Sequence, residues 1–254
     1  MRKILNFLYW TIVVQMGLDI IRLSRSLKSI PRYIRDLIKF KKNNEYPLLI
    51  KPCLFDWYDD AGNYNNEYFW QDLYIAEMII NKNPILHLDI GSRIDGFILS
   101  LASSRKVEIL DIRNINLNHH NIKHLKKDFI NEIDDLKNYA DSVSCLHTLE
   151  HFGLGRYGDD IDVFAYKKAI INFSLILKKN GYLYLSTPIG KEKILFNANR
   201  VFEPQRLIKE FTDCNFSLMK SFYISKSNKF LLKEFNTKEE IKTDSLGIFI
   251  LKKN

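Results

Sequence analysis

The sequence lacks a cysteine framework, an internal repeat and a low-complexity linker. Its three cysteines, Cys53, Cys145 and Cys214, lie far apart and form no CxxC pair. This spacing argues against a disulfide scaffold or a structural zinc cluster, and it fits a reducing compartment. Of the 254 residues, 46% are hydrophobic and 27% are charged, which excludes global disorder, collagen and a disulfide miniprotein. The length suits one α/β domain with appendages.

The body of the chain has no net charge, although the whole chain carries +8. Residues 1–42 hold ten Lys and Arg against Asp19 and Asp36, and the remaining 28 basic and 28 acidic residues cancel. A basic groove across the folded body is therefore not expected, and we predict no nucleic-acid partner.

The N-terminal apolar run, 4–14, is shorter than the roughly 20 residues that span a bilayer. Continued as a helix, it places one polar stripe between apolar flanks; the stripe comprises Thr11, Gln15, Asp19, Arg22 and Ser26. With its basic cluster, such a helix could lie on an anionic membrane surface through residues 1–42. It could equally pack on its own domain or on a second subunit. No small-residue cleavage site follows, so we expect a retained segment on a cytoplasmic protein, peripheral on the inner face of the membrane.

From Pro84 onward, β-rich runs alternate with helical stretches, which predicts a Rossmann-like, doubly wound and mostly parallel sheet. The predicted strands are 85–90, 107–111, 143–146 and 182–186, with a helix over 163–179. The runs 216–224 and 246–251 are predicted to pair as a closing antiparallel hairpin. We divide the chain into a basic amphipathic helical extension, residues 1–45, and an α/β domain, residues 46–254.

An aromatic helix is predicted over 67–81, ahead of the sheet. Tyr68, Phe69, Trp70 and Tyr74 give it a ring-rich surface. Such a surface either packs on the sheet or forms a lid over a ligand.

The loop after the first strand does not match the GxGxxG pattern of dinucleotide-binding proteins. Gly91 lets the chain turn sharply near a ligand, while Asp89, two residues earlier, suits a ligand with an ammonium group. S-adenosylmethionine has that group, a ribose diol and an adenine. We assign the cofactor loop to Asp89, Gly91, Ser92, Arg93 and Gly96. Without GxGxxG, a nicotinamide-dependent oxidoreductase is disfavoured.

Two further acidic positions follow at successive strand ends. Asp111 closes the second strand, 22 residues after Asp89, where a carboxylate can accept both ribose hydroxyls. Asp128 and Phe129 come at a spacing that could reach the end of the third strand, with a carboxylate for the adenine amino group and a ring beside the base. Each acid alone could instead cap a helix.

At this point the sequence resembles class I S-adenosylmethionine-dependent methyltransferases. More narrowly, it is similar to the domain-of-unknown-function 268 family of methyltransferase-like Rossmann proteins, over about residues 48–252. The matching strings are Tyr68–Leu73 (YFWQDL), His87–Phe97 (HLDIGSRIDGF), Leu146–Asp159 (LHTLEHFGLGRYGD), Pro188–Gly190 and Phe196–Phe202 (FNANRVF). Arg93 and Asp95 stand where methyltransferases commonly have small residues.

The loop after the fourth strand supplies the acceptor-side candidates. His151 is the first choice for a general base and His147 the second. Glu150 either assists or only orients His151, and Arg156 and Tyr157 could hold an anionic or sugar-like acceptor, with Asn197, Asn199 and Arg200 facing the same cleft. The alternatives are that each histidine pins a loop and that Arg156 pairs with Asp159 or Asp160. His87 is interpreted as a satisfied core residue, and His119 and His120 as surface residues.

The string from His147 to His151 also spells HxxEH, a zinc-protease arrangement. That chemistry requires both histidines on a sustained helix, whereas here a strand ends at about Leu146 and Gly153 follows closely. We assign no metal, although a divalent ion on Glu150 and His151 stays open.

These features together predict an O-methyltransferase that uses S-adenosyl-L-methionine. The polar histidine-rich loop, the basic N-terminus and an association of such family members with surface-glycan synthesis predict a carbohydrate or glycolipid-linked acceptor. The alternative is a catalytically silent methyltransferase-like scaffold at a membrane-associated assembly. The oligomeric state is left open.

Overall fold

The computed structural model describes residues 7–42, 44–59, 62, 64, 66–225, 231–237 and 245–254. Internal contacts divide the chain into two units, 1–63 and 64–254. The predicted boundary between residues 45 and 46 lies inside the first unit, and the assignment of two domains stays a prediction.

The N-terminal helix is interrupted where the sequence predicted a continuous one. A π-helix, Trp10–Gln15, is followed by Gly17 at φ +72°. Helix α1, Ile20–Lys41, then starts afresh, because the Asp19 carboxylate accepts a hydrogen bond from the Arg22 amide at 2.8 Å. Asp19 is thus an N-cap, and the single polar stripe is wrong. The start of the apolar run, including Ile4, lies outside the described residues.

The described part of the chain contains no single helix that is both long and apolar enough to cross a membrane. Among the described residues, one pair of helices, Phe7–Gln15 and Ile20–Lys41, bent by 66°, satisfies length and composition together. Within the same unit, arginines of α1 lie over aromatic rings that follow it: Arg22 over Phe55, Arg25 over Tyr58 and Arg32 over Trp57, at 4.2 to 5.6 Å from the ring centroids. The one-turn helix Asp56–Tyr58 carries two of these rings.

The second unit is built on an eight-stranded sheet. In chain order its strands are β1 (His87–Ile90), β2 (Val107–Asp111), β3 (Ile122–Lys126), β4 (Ala140–Leu146), β5 (Leu177–Ile189), β8 (Phe216–Ser225), β9 (Leu231–Glu234) and β10 (Ser245–Lys253), with β6 (Lys193–Leu195) and β7 (Asn199–Val201) forming a separate pair. The spatial order is β3-β2-β1-β4-β5-β10-β8-β9. The first five are parallel, and β10 runs antiparallel between β5 and β8. The predicted Rossmann-like class and its antiparallel C-terminal strand are confirmed.

Helices cover both faces of this sheet. The four helices are α2 (Glu67–Lys82), α3 (Gly96–Ala102), α4 (Ala165–Ile176) and α5 (Pro204–Asp213). One core contains Ile75 and Ile79 of α2 with Phe97 of α3, and the other contains Phe173 of α4 with Phe211 of α5. Chain order reverses between β1 and β4, which is where open α/β sheets bind ligands.

Several boundaries differ from the predicted ones. Helix α4 ends at Ile176 and β5 begins at Leu177, so the three residues after Ile176 extend the strand. Strands β3, β6, β7 and β9 were not predicted. On α2 the buried residues are Gln71, Ile75, Ala76 and Ile79, and of its aromatic rings Trp70 packs against the same core while partly exposed.

Candidate functional site

Asp89 shapes the loop after β1 from inside the protein. It is fully buried, and its carboxylate accepts hydrogen bonds from the Ser92 amide at 3.1 Å, the Ser92 hydroxyl at 2.8 Å and the Ser144 hydroxyl of β4. Burial raises the pKa of Asp89 to about 6. The predicted cofactor residues Asp89, Gly91 and Ser92 therefore lie together, but the carboxylate is satisfied by protein donors.

Gly91 is required by close approach as well as by its turn. Its φ is +72°, and a Cβ atom there would lie 2.5 Å from Cγ2 of Thr148. Thr148 follows β4, so the β1 and β4 loops meet at this point. The predicted glycine turn is present, and the group that approaches it here is the protein's own threonine.

A buried network continues behind Asp89 to His87. The two His87 ring nitrogens lie 2.8 Å from the Ser142 hydroxyl and 3.1 Å from the Ser144 hydroxyl. Burial lowers the pKa of His87 to about 3, so the ring is neutral and Ser144 relays hydrogen bonding from His87 to Asp89. The interpretation of His87 as a satisfied core residue is confirmed. His119 and His120 are exposed, as predicted.

Asp111 ends β2 beside this loop and is held by Arg113. Its carboxylate is only 3% exposed and accepts hydrogen bonds from Arg113 Nε at 2.9 and 3.1 Å, from Nη2, and from the Arg113 amide at 2.8 Å. Nη2 also donates to the Gly91 carbonyl at 3.2 Å. The sequence prediction missed Arg113; its position two residues after a strand-end aspartate was the available signal.

Asp128 and Phe129 follow β3, but both side chains are engaged in contacts within the protein. The Asp128 carboxylate accepts from the Ile130 amide at 2.8 Å and from the Asn131 side chain at 2.7 Å, which closes a local turn. Phe129 is 3% exposed and packs on Phe173 in the core. Phe129 therefore has almost no surface to offer an adenine ring, and the expected placement beside the base is not seen.

Helix α2 contributes an acidic residue that the sequence prediction missed. Asp72 lies against the start of α3, where a Cβ on Gly96 would be 2.9 Å from its Oδ2. Burial raises the pKa of Asp72 to about 6. Arg93 and Asp95 form an exposed ion pair at 2.9 Å, so Arg93 points outward.

On the acceptor side, Glu150 is a buried carboxylate between two imidazoles. It is 1% exposed, accepts from Thr187 at 3.2 Å, and lies 3.0 Å from His147 Nδ1 but 3.9 Å from His151 Nε2. Its direct bond is therefore to His147, whereas the sequence suggested that it orients His151. Because a carboxylate only accepts, His147 carries its proton on Nδ1, and its buried Nε2 has no partner among the described residues.

His151 is fixed by a different group. Its Nδ1 lies 2.7 Å from the Ala198 carbonyl, which also accepts from Arg156 at 2.9 Å. A carbonyl cannot donate, so Nδ1 holds the proton and Nε2 presents its lone pair. Burial lowers the pKa of His151. The ring is thus neutral near pH 7, in the tautomer that a general base needs.

Tyr157 joins the two sides of the site. Arg113 lies 5.0 Å and Arg156 5.2 Å from its ring centroid, and His151 meets its edge at 5.5 Å. The loop that carries Tyr157 is organised by Asp159, whose carboxylate accepts from the Gly153, Gly155 and Tyr157 amides.

The segment after β5 supports this loop from the other side. Arg200 is 4% exposed and donates to the carbonyls of Glu150 and Phe152, so it buttresses the histidine turn rather than facing a cleft. Asn199 donates to the Arg200 carbonyl.

Tyr68 of α2 covers His147, with ring centroids 4.3 Å apart. Burial, reinforced by the nearby Glu150 charge, raises the pKa of Tyr68. Tyr68 is 48% exposed, so this one ring of the aromatic surface lies over the histidine turn.

The zinc-protease alternative fails on local geometry. His147 sits at φ +50° after β4, and Leu149–His151 is a single 3-10 turn. The two histidines thus do not share a helix. Across the residues that the structure describes, no three His, Cys, Asp or Glu side chains are arranged to hold a metal.

Solved structures with this fold include methyltransferases and one enzyme of another class. N-methyltransferase NodS from Bradyrhizobium japonicum, in complex with S-adenosyl-L-homocysteine, is 13% identical, with a TM-score of 0.53 over 86% of this chain and 97% of that chain. The 1,6-didemethyltoxoflavin-N1-methyltransferase from Burkholderia thailandensis is 14% identical, with a TM-score of 0.54 over 78% and 81%. The [4+2]-cyclase SpnF is 10% identical, with a TM-score of 0.52 over 71% and 80%. At these identities the likeness shows the fold alone.

Among curated protein sequences, none matches this chain significantly. A family model described as "Caenorhabditis protein of unknown function, DUF268" matches residues 98–254, a span that includes the β4 histidine turn and the β6–β7 hairpin. The chain belongs to the DUF268 family.

Proposed function

We propose that this protein is a S-adenosylmethionine-dependent O-methyltransferase whose acceptor is a hydroxyl of a carbohydrate or glycolipid-linked molecule. The observation that carries the proposal is the His147–Glu150–His151 turn at the carboxyl end of β4. Both imidazoles carry a proton on Nδ1, which faces a group that only accepts. In the part of the chain that the structure describes, neither Nε2 is in a hydrogen bond, and both lie beside the point where chain order reverses.

The residues at β1 and β2 fit a nucleoside that carries an amino acid. Gly91 keeps the loop free of a side chain, and Asp111 is a buried carboxylate suited to two ribose hydroxyls. Asp89 is enclosed, so its part is to hold the Ser92 amide and hydroxyl in place. The half-buried Asp72 and the exposed Asp95 add negative charge near an ammonium group.

When bound, S-adenosylmethionine would supply an electrophilic methyl group. His151 performs the proton step at Nε2: it accepts the acceptor hydroxyl's proton as the oxygen gains the methyl. The Glu150 carboxylate, 3.9 Å from Nε2, stabilises the imidazolium that forms, and the Ala198 carbonyl keeps the ring oriented. Positioning of the acceptor supplies the rest of the rate.

An apolar hairpin tip supports an acceptor with a lipid part. Ile194, Leu195 and Phe196 are 52%, 48% and 76% exposed at the β6–β7 turn. They immediately precede Asn197 and Ala198, whose carbonyl binds His151. Hydrocarbon next to the reacting hydroxyl could rest on this tip.

The N-terminal unit supports association with anionic lipid. Exposed apolar residues of α1 include Ile20, Leu23, Leu27, Ile34 and Ile38, and the first 42 residues carry a net charge of +8. Full-length protein should float with vesicles containing phosphatidylserine, whereas a chain starting near Tyr46 should not. Equal behaviour of the two would remove the membrane from the proposal.

The test of the activity is methyl transfer by the purified full-length chain. Methyl-labelled S-adenosylmethionine is incubated with a lipid-linked glycan extract, and the products are analysed by mass spectrometry. We expect label on an oxygen in the glycan, lost in His151→Ala while calorimetric affinity for S-adenosylhomocysteine is retained. Binding without transfer to any acceptor pool would favour the scaffold.

One observation favours that second candidate, the silent methyltransferase-like module. Asp89 and Asp111 are both saturated by protein donors, as in a site that has no ligand to serve. A neighbour with this fold is a [4+2]-cyclase, so the fold does not dictate methyl transfer. If calorimetry gives no binding heat with either S-adenosylmethionine or S-adenosylhomocysteine, the silent module is favoured over the enzyme.

A further inference from the structure

Arg113 competes for the group that the proposed nucleoside needs. Its guanidinium spans both oxygens of the Asp111 carboxylate, at 2.9 and 3.1 Å from Nε. A ribose diol bound at Asp111 would require those same acceptor positions. The guanidinium and a ribose diol cannot both bind this carboxylate at once, because the backbone amide of Arg113 already donates a further hydrogen bond to Oδ1.

The Arg113 side chain is built to move, while Asp111 is not. The Asp111 side chain is 3% exposed and the Arg113 side chain is 39% exposed. The carboxylate is therefore enclosed by protein, whereas the guanidinium lies at the surface. The outer contacts of Arg113 are weak ones: the Gly91 carbonyl at 3.2 Å and the face of Tyr157 at 5.0 Å. Its release would uncover both oxygens of the Asp111 carboxylate.

We propose that Arg113 sets nucleoside affinity at this site. Its guanidinium occupies the Asp111 carboxylate until the ribose of the nucleoside displaces the guanidinium. This rests on the proposed function. Each binding event breaks the Arg113–Asp111 pair, so the apparent affinity is the intrinsic affinity multiplied by the open fraction. Removing the guanidinium should therefore tighten binding, and a tenfold gain would correspond to an open fraction of about one molecule in ten.

Tyr157 extends the consequence to the acceptor side. Its ring lies between Arg113 and Arg156, and Arg156 shares the Ala198 carbonyl with His151. When the ribose displaces Arg113, Tyr157 loses one of its two cations.

The test is calorimetry of S-adenosylhomocysteine with full-length wild type, Arg113→Met and Arg113→Lys. Arg113→Met should bind about tenfold more tightly, and Arg113→Lys, which keeps the charge without the fork, should fall between. Arg206→Met is the matched control, because Arg206 of α5 is an exposed arginine that is also paired with a carboxylate, that of Glu192. This variant should leave the affinity for S-adenosylhomocysteine unchanged. Thermal melts confirm that each variant is folded.

A second readout follows Arg113 itself. In ¹⁵N NMR, the Arg113 Nε–H proton should exchange slowly with water in the free protein. It should lose that protection when S-adenosylhomocysteine is added. Affinity that is unchanged or weaker in Arg113→Met, or protection that persists at saturation, would overturn the gate while leaving the proposed function intact. If neither wild type nor Arg113→Met binds the nucleoside, both the gate and the proposed function fall.

Discussion

The two halves of the candidate site treat their polar groups differently. On the β1–β2 side, Asp89 and Asp111 each receive several hydrogen bonds from the protein itself. On the β4 side, His147 and His151 are anchored through Nδ1 only, and each has an Nε2 that no hydrogen bond in the described structure occupies. Under the proposed function, the first half holds a shape and the second exchanges a proton.

The largest expected effect tests the exchanging half. His151→Ala should lower turnover by about 10²- to 10⁴-fold, because it removes the base, while S-adenosylhomocysteine affinity stays within about twofold. His147→Ala is the comparison, since its Nε2 lies under Tyr68. A larger loss in His147→Ala than in His151→Ala would transfer the base to the residue that Glu150 contacts directly.

The next effect tests how tightly the holding half is packed. Gly91→Ala should reduce the free energy of unfolding by about 2 to 4 kcal/mol, because a Cβ meets Thr148 at 2.5 Å in a backbone conformation with positive φ. Gly158→Ala, at φ +87° with no atom within 4 Å of its Cβ, should cost only about 1 kcal/mol. Equal losses in urea unfolding would mean that the two loops do not meet as described.

Loss of the buried carboxylate at β2 comes third. Asp111→Asn should weaken S-adenosylhomocysteine binding about 10- to 100-fold in calorimetry, because charge-assisted hydrogen bonds to both ribose hydroxyls are lost. Asp128→Asn is the control, since its carboxylate closes a local turn. A loss confined to Asp128→Asn would return the ligand to the end of β3.

The smallest effect is a pH dependence of binding. The pKa values of Asp89 and Asp72 are both raised to about 6 by burial, so each is mostly ionised at pH 7.5 and mostly protonated at pH 5. A ligand ammonium favours the ionised form of Asp72, and ionised Asp89 keeps the Ser92 amide and hydroxyl in place. Affinity should therefore fall up to about tenfold as pH drops through 6, with proton release on binding. Affinity that rises toward pH 5 would exclude Asp72 from the ammonium site.

For the free protein, the same raised pKa values act on stability. The folded state then binds protons more readily than the unfolded chain between about pH 4 and 6, so these two groups stabilise it as pH falls through that window. Asp89→Asn and Asp72→Asn should each reduce this part of the pH dependence in equilibrium unfolding.

The sequence predicted the elements whose apolar pattern is strong. Strand β2 was placed at its observed bounds, and the antiparallel pairing of β8 with β10 was correct, because the β8 and β10 runs are both rich in apolar residues. Strand β3 (IKHLK) is partly exposed at the sheet edge and alternates with charge, so it gave no apolar run. Short strands β6 and β7 are set by tertiary contacts that no local pattern encodes.

For the site, sequence reasoning located the right loops but not the pairings within them. Glycines and acids at strand ends identify a ligand edge, and the loops around Gly91 and His151 do lie there. Which donor satisfies which acceptor depends on positions far apart in the chain, such as Ser144 on Asp89 or Ala198 on His151. Asp72, which lies against Gly96 of α3, was missed for the same reason, whereas Arg113 stands only two residues after Asp111.

The most direct test is a crystal of the full-length protein soaked in S-adenosylhomocysteine. We predict both ribose hydroxyls on the Asp111 carboxylate, the Arg113 guanidinium displaced from it, and His151 Nε2 facing the sulfur side of the ligand. Density that shows Arg113 still on Asp111 and no nucleoside between Gly91 and Tyr157, at millimolar S-adenosylhomocysteine, would contradict the proposed function.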